Sequence, residues 1–319
     1  MEHTNWSYPT EIRFGVGRSD EIAEACSLHG IKHPLFVTDR GLLSLKTTVE
    51  VINKIKLKMP VAVFSDVDSN PSEVNLEAGI KVFIDGDHDG VIAFGGGSAI
   101  DLGKLIAFMA VQSIAVWEFE DISDCWKKAN SSGIKPIIAI PTTAGTGSEV
   151  GRAAVLTNSR LKTKKIIFHP KILPSLVICD PSLTVTMPKF LTAGTGLDAF
   201  AHCLEAYCSP FYHPMSNGIA LEGIKLIKDN LSRAYNVGTD IVARSNMMAA
   251  ALMGAVAFQK GLGAIHALSH PIGALYNTHH GMTNAVLMPF VLEFNKCQIR
   301  TKIENLSNYL RIEDGFDGF

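Results

Sequence analysis

Histidine is unevenly spread along this chain. Of 11 histidines, four fall close together at His266, His270, His279 and His280. Imidazole titrates near neutral pH and is a common ligand for borderline divalent metals. Further upstream, Asp198 and His202 stand four residues apart in the helical pattern Thr195-Gly-Leu-Asp-Ala-Phe-Ala-His202. That spacing puts both side chains on one helix face. Their neighbours Leu197, Ala199, Phe200 and Ala201 are apolar, so the pair lies off the freely solvated surface. A carboxylate with imidazoles is a donor set for Fe²⁺ or Zn²⁺. An Asp–His pair alone is more often a capping or hydrogen-bonding pair. The downstream cluster, with His266 and His270 also four apart, gives it the metal reading. Spacing leaves open which two of the four later histidines would be ligands.

Two glycine-rich loops offer different chemistry. The apolar run Val91–Phe94 leads into Gly95, Gly96, Gly97 and Ser98, followed by a helical pattern carrying Asp101 and Lys104. A strand, a glycine turn and a helix N-terminus make an anion site, because the backbone can approach a phosphate and the free N–H groups attract it. The Gly-x-Gly-x-x-Gly fingerprint after a first strand is absent, and no Gly-Lys-Ser/Thr follows a glycine turn, which excludes a nucleoside-triphosphatase loop. The second loop, Pro141-Thr-Thr-Ala-Gly-Thr-Gly-Ser-Glu149, follows the apolar run Ile137–Ile140. Two polar loops on one sheet edge point to a ligand longer than a mononucleotide.

The elements needed to hold these groups are legible as alternating patterns. Strands are expected at Leu35–Thr38, Val61–Phe64, Val91–Phe94, Ile137–Ile140 and Leu176–Cys179, with helical patterns near 19–29, 41–56, 72–84 and 98–112. Such alternation predicts a parallel sheet covered by helices on both faces. From Thr192 onward only helical periodicity remains, at 192–208, 214–230, 241–260, 262–276 and 281–296. The expected division is an α/β domain over 1–183 and an all-helical domain over 184–319. With 319 residues, 47% hydrophobic and 19% charged, the chain can bury a sizeable core. A net charge of −2 gives no basic excess for nucleic acid. No apolar run is read as long enough to span a bilayer, and the first residues do not read as a signal peptide. Six scattered cysteines read as reduced thiols in a cytoplasmic protein.

Taken together, the motifs resemble those of the iron-containing (group III) alcohol dehydrogenases over essentially all of residues 10–312. They are Gly95-Gly-Gly-Ser-x-x-Asp101-x-x-Lys104, Pro141-Thr-Thr-Ala-Gly-Thr-Gly-Ser-Glu149, Gly196-x-Asp198-Ala-x-x-His202-x-x-Glu205-Ala-Tyr207, Gly263-x-x-His266-Ala-x-x-His270-Pro-x-Gly273 and Tyr276-Asn-x-x-His280-Gly-x-x-Asn284. The resemblance implies a Rossmann-like dinucleotide-binding domain joined to a helical metal domain, in the architecture of dehydroquinate synthase. It implies NAD as cofactor and Fe²⁺, with Zn²⁺ possible, held by Asp198, His202, His266 and His280. His270 matches a histidine near substrate and nicotinamide, the best candidate for moving a proton. His279 matches no family role. The loop Gly95, Gly96, Gly97 and Ser98, with Asp101, matches the pyrophosphate cradle. Thr142, Thr143 and Thr146 match positions flanking the nicotinamide half, Lys164 a lysine at its ribose, and Asn70 a cofactor-side position. Asp39 matches the adenosine-ribose contact, where a carboxylate favours NAD over NADP by accepting from a 2′-hydroxyl and repelling a 2′-phosphate.

The implied activity is hydride transfer between NAD(H) and a small primary alcohol or aldehyde, in a homo-oligomer such as a dimer without nucleic-acid or membrane partners. Two other classes compete. One is a metal- and nucleotide-binding relative with little or no turnover. The other is a dehydroquinate synthase-like lyase, which would need a basic cluster near the metal motifs. The segment Gly315–Phe319 follows a helical stretch without a closing element. The expectation is a helical domain incomplete at its C-terminal end, with apolar faces exposed at 214–230 and 241–260.

Overall fold

The computed structural model describes residues 10–319. The chain divides into two compact units. One runs to Thr143 and includes Ser148–Thr184; the other holds Ala144–Gly147 with Val185–Phe319.

The first unit is built on six parallel strands: β1 Glu11–Phe14, β2 Pro34–Val37, β3 Ala62–Phe64, β4 Gly90–Gly95, β5 Ile137–Pro141 and, after a hairpin, β8 Leu176–Cys179. Their spatial order is β1-β8-β5-β4-β2-β3. Helices α1 (Ile22–Leu28), α2 (Arg40–Leu43), α3 (Lys46–Lys56), α4 (Glu73–Asp85) and α5 (Gly97–Met109) connect them. A parallel sheet buried on both faces needs strands apolar throughout. Accordingly every residue of β2, β4, β5 and β8 is buried. Alternation then divides the faces. Phe36, Ile92, Phe94, Ile138, Ile140, Leu176 and Ile178 form one core with Ile22, Cys26, Val51, Ile52 and Ile55 of α1 and α3. Ala93 and Val91 turn to the other face, where α5 comes so close that a Cβ on Gly103 would lie 2.8 Å from that of Ala93.

The five expected strands are present. Two elements escape the sequence reading. The edge strand β1, Glu-Ile-Arg-Phe, is masked by its charges; Arg13 ion-pairs with Glu21 at 2.9 Å and Glu24 at 3.1 Å. The antiparallel hairpin β6 (Ala153–Asn158) and β7 (Thr163–Phe168) carries lysines on β7 that dilute its apolar pattern.

The second unit is helical: α6 Lys189–Cys208, α7 Pro214–Asn236, α8 Ile241–Ala257, α9 Ala264–Tyr276, α10 His280–Leu310 and α11 Gly315–Gly318. No strand occurs after Val185 among the described residues. Residues 241–260 are, by length and composition, apolar enough to cross a membrane, which corrects the reading that no run is. They form a core helix: Ala243, Met247, Met248, Ala250, Ala251 and Ala255 are buried. Ala220, Ile224 and Ile227 of α7 are buried too. The large apolar side chains most exposed in this unit lie mainly on α9 and α10, such as Tyr276, Phe290 and Phe294, and not on the two segments expected to expose them.

Candidate active site

Three helices bring the histidine centre together. Asp198 and His202 lie one turn apart on α6, as their spacing predicts, and both are buried. His266 is on the first turn of α9, and His280 opens α10. Gly281 lets α10 meet α6 closely, since a Cβ there would sit 2.0 Å from the Gly194 carbonyl oxygen. The four side chains converge. Asp198 Oδ1 lies 4.0 Å from His202 Nε2, 3.8 Å from His266 Nε2 and 3.5 Å from His280 Nε2. The ligand atoms of Asp198, His202 and His266 all fall within 4.8 Å of one another. The rings of His202 and His266 stack at 4.7 Å, tilted only 15°. One carboxylate and three imidazoles are a donor set that borderline divalent metals take, so these residues fit such an ion.

Burial and neighbouring charge oppose each other at these groups. Burial pushes Asp198 up, but His202, His280 and His266 outweigh it and hold its carboxyl well below the usual range. Burial pulls His202 down to about 4, only partly opposed by Asp198, so its ring is neutral at pH 7. Burial also disfavours charge on His266, yet Asp198 and Glu205 raise it to about 9.

The adjacent histidines part company. His280 joins the cluster. His279 instead N-caps α10, its Nδ1 accepting from Met282 N at 3.4 Å, and its ring meets Phe190 edge-on at 5.3 Å. His270 stands beside the cluster, 5.3 Å from the His280 ring and 6.1 Å from that of His266.

Two residues beyond the expected site complete the centre. Glu205 Oε2 accepts from His266 Nδ1 at 2.5 Å. Asn284 Nδ2 donates to Asp198 Oδ1 at 2.8 Å and lies 3.2 Å from His266 Nε2 and 3.3 Å from His280 Nε2. Spacing could have found both: Glu205 is three residues after His202, and Asn284 four after His280, so each shares a helix face with a ligand.

In the first unit, the C-terminal ends of the parallel strands gather the other candidates. Strand order reverses between β2 and β4, which is where open α/β sheets bind ligands. Asp39 follows β2 and caps α2, accepting from Leu42 N at 2.9 Å. Gly95 ends β4 with φ +151°, and a Cβ there would fall 2.7 Å from Ala99 Cβ and 3.9 Å from Asp39 Oδ2. Gly96 precedes α5 without a side-chain cap, leaving first-turn N–H groups for an anion, and a Cβ there would lie 3.3 Å from Thr143 Cγ2. The Ser98 hydroxyl donates to the Ser69 carbonyl at 2.6 Å, next to Asn70, and Thr142 N donates to the Gly95 carbonyl at 2.9 Å. Lys164 lies on β7 opposite Thr157.

Asp101 faces inward instead. One carboxylate oxygen accepts from the Ser148 hydroxyl, the other from Val155 N at 3.0 Å. Lys104, fully buried, donates to the carbonyls of Ser148 and Ala153 and lies 3.8 Å from Asp101. Burial raises Asp101 and lowers Lys104, each opposed by the other's charge, and it pushes the neighbouring Glu149 up to about 7. Thr146 belongs to the short stretch grouped with the helices. There Gly147 takes φ +61°, and a Cβ would collide with Ala255 Cβ at 2.1 Å.

Comparison with known proteins gives these sites a family. The iron-containing alcohol dehydrogenase family model matches residues 9–181, and the C-terminal model of the Fe-containing alcohol dehydrogenase family matches residues 192–317. The chain is 40% identical over 294 residues to 4-hydroxybutyrate dehydrogenase of Cupriavidus necator, covering 90% of this chain and 76% of that protein. It superposes on a crystal structure of 1,3-propanediol oxidoreductase with a TM-score of 0.91 at 35% identity, over 97% of this chain and 80% of that one. Sulfoacetaldehyde reductase of Bifidobacterium kashiwanohense in complex with NAD⁺ gives a TM-score of 0.91 at 28% identity, covering 100% and 83%. Family models over both units, relatives of these activities and a matching fold all agree: the chain belongs to the iron-containing alcohol dehydrogenases and is a metal-dependent oxidoreductase that moves a hydride between NAD(H) and an alcohol or aldehyde.

Proposed function

We propose that Asp198, His202, His266 and His280 hold Fe²⁺, with Zn²⁺ as the alternative occupant, and that the substrate is a small primary alcohol. The observation that carries this is the convergence of three imidazole Nε2 atoms, from three helices, within 3.5–4.0 Å of one Asp198 oxygen. The bound ion supplies a Lewis acid for the substrate oxygen. The remaining steps belong to the chain. Asp198 contributes a fixed negative charge, and His202, kept neutral by burial, offers a lone pair. His270, beside the rings of His266 and His280, accepts the hydroxyl proton. Bound NAD⁺ would supply the acceptor for the hydride, so that loss of that proton and of the C–H electron pair would turn the alcohol carbon into a carbonyl.

The cofactor reading rests on the strand-end geometry. Backbone N–H groups at Gly95, Gly96, Gly97 and Ser98 take the pyrophosphate. Asp39 accepts from the adenosine ribose, and Asn70, Thr142, Thr143, Thr146 and Lys164 line the rest. Asp101 serves from behind, holding Ser148 and Val155 in place. The setting is cytoplasmic, supported by six cysteines scattered along the sequence without a disulfide-framework spacing. The assembly is a homo-oligomer, a dimer in its simplest form, without membrane or nucleic-acid partners. Exposed Val286, Phe290 and Phe294, four residues apart on α10, support self-association.

The test is turnover of a panel of short alcohols and diols, using protein purified without oxygen and loaded with Fe²⁺ or Zn²⁺, with NADH formation as the readout. NADH from primary alcohols is the expected result. No NADH with either metal across the panel overturns the reading.

A further inference from the structure

We propose that Glu205 is a positioning residue for the histidine centre, one carboxylate that both fixes the ring of His266 and anchors the first turn of α9. The inference rests on the reading of Asp198, His202, His266 and His280 as metal ligands.

The geometry assigns both carboxylate oxygens. Oε2 lies 2.5 Å from His266 Nδ1, and Oε1 accepts from Ile265 N at 2.7 Å. Glu205 is only 7% exposed, and His266 4%, so water does not compete for either bond. Ile265 is the second residue of α9, and its N–H is one of the first-turn donors that a helix cannot satisfy internally. The N-cap of α9, Gly263, has no side chain to supply an acceptor. Glu205 reaches across from α6 to do so, and a carboxylate at a helix N-terminus is favoured by the dipole as well. The missing side chain also makes room, because a Cβ on Gly263 would lie 2.9 Å from Glu205 Oε1.

The second bond orients the ring. An ionised carboxylate only accepts, so His266 Nδ1 donates to Glu205 and Nε2 is the nitrogen turned to the centre. Nε2 is directed at Asp198 Oδ1, 3.8 Å away, and faces Asn284 Nδ2 at 3.2 Å. Glu205 therefore holds Nε2 of His266 toward the centre and keeps the start of α9 against α6. A metal-bound imidazole is commonly held this way through its other nitrogen.

Glu205→Gln keeps the volume but offers one acceptor for two donors, so it loses the carboxylate–imidazole bond or the bond to Ile265 N. The probe is Zn²⁺ alone, titrated into the metal-free full chain against a chelator of known affinity. The expected result is a fall of about 10–100-fold in Zn²⁺ affinity, the range for loss of such a partner. In parallel, nitrogen-15 NMR of the imidazoles reads the tautomer. Zn²⁺-loaded wild type should show His266 protonated at Nδ1 and not at Nε2, and Glu205→Gln should lose that single form. Wild-type Zn²⁺ affinity in the variant, or a His266 Nδ1 without its proton in Zn²⁺-loaded wild type, overturns the proposal. The wild-type spectrum decides even where the variant folds poorly. If the wild-type chain binds no Zn²⁺ or Fe²⁺ at all, the metal reading itself fails and takes this inference with it. Binding by wild type with an unaffected variant sinks only the role of Glu205.

Discussion

At the sheet edge of the first unit, backbone does most of the facing outward; in the helical unit, side chains from three helices face one another. Around Gly95 and Gly96 the useful groups are N–H donors, freed by a left-handed turn and an uncapped helix start. The charged side chains close by, Asp101 and Lys104, are turned inward to hold Ser148, Ala153 and Val155. In the helical unit the backbone is closed into helices, and the groups that face one another are the side chains of Asp198, His202, His266 and His280. The difference teaches where each site is vulnerable. A backbone site fails through shape, when an added Cβ blocks it. A side-chain site fails through chemistry, when one donor atom is removed.

The largest effect expected from that contrast is at the histidine centre. His280→Ala removes an Nε2 that lies 3.5 Å from Asp198 Oδ1, while His279→Ala removes a helix cap and an edge contact with Phe190. Metal analysis after desalting should find less than about a tenth of the wild-type content in His280→Ala, since loss of a ligand exceeds the usual 10–100-fold effect of its supporting partners. His279→Ala should retain its metal. Equal loss from both would show that the two adjacent rings share the site.

A smaller effect tests whether the inward-facing charges of the first unit are structural. Burial raises Glu149 to about 7 from an ordinary 4.5, so the folded chain holds this proton more tightly than the unfolded chain does. The sign follows from linkage. The stability contributed by the bound proton is fully present below about pH 4.5 and is lost as pH rises through about 7. The difference is about 3 kcal/mol. Glu149→Gln mimics the protonated form and removes that dependence. In urea unfolding, the variant should gain on wild type between pH 5 and pH 8. A constant difference between the two across this range would mean that Glu149 is not held neutral.

How far the sequence exposes this arrangement follows the same division. The parallel strands read clearly because burial on both faces demands uninterrupted apolar runs such as Val91–Phe94 and Ile137–Ile140. The edge strand β1 does not, because an edge tolerates Glu11 and Arg13, and a charged four-residue strand looks like a loop. Asp198 and His202 read as a pair because helical spacing is local. The meeting of α6 with α9 and α10 is not local: His266 and His280 could be matched to it only through motif resemblance. Glu205 stands in a motif, but nothing local gives it a role, because its partners His266 and Ile265 are some sixty positions away. Asp101 is also bound to distant residues that local spacing does not reveal: its oxygens accept from the Ser148 hydroxyl and Val155 N.

Shape should govern the backbone site, and Gly95→Ala tests this directly. At φ +151° an alanine is strained whatever the space, and its Cβ would meet Ala99 Cβ at 2.7 Å. Backbone strain of this kind costs about 1–3 kcal/mol. We expect NAD⁺ affinity, measured calorimetrically, to fall about 10–100-fold, with metal content unchanged. Wild-type NAD⁺ affinity in the variant would remove this turn from the cofactor site.

The smallest effect concerns Asp39, just after β2, and it separates two jobs held by one side chain. Asp39 caps α2 through Leu42 N, and by position it is the residue proposed for the adenosine ribose. Replacement by glycine or alanine would confound the two. Asparagine is as good an N-cap as aspartate, so Asp39→Asn keeps the helix start and removes only the charge. An amide oxygen still accepts from a 2′-hydroxyl, but the bond is no longer charge-assisted, so NAD⁺ binding should weaken by about 1 kcal/mol. The like-charge penalty against a 2′-phosphate disappears at the same time, so binding of NADP⁺ should strengthen. The two changes act in opposite directions on the two cofactors, which no general loss of stability can imitate. Measured as the ratio of Kd values for NAD⁺ and NADP⁺, the preference for NAD⁺ should shrink while the melting temperature holds. An unchanged ratio would confine Asp39 to its capping role and leave the sheet edge a purely backbone site.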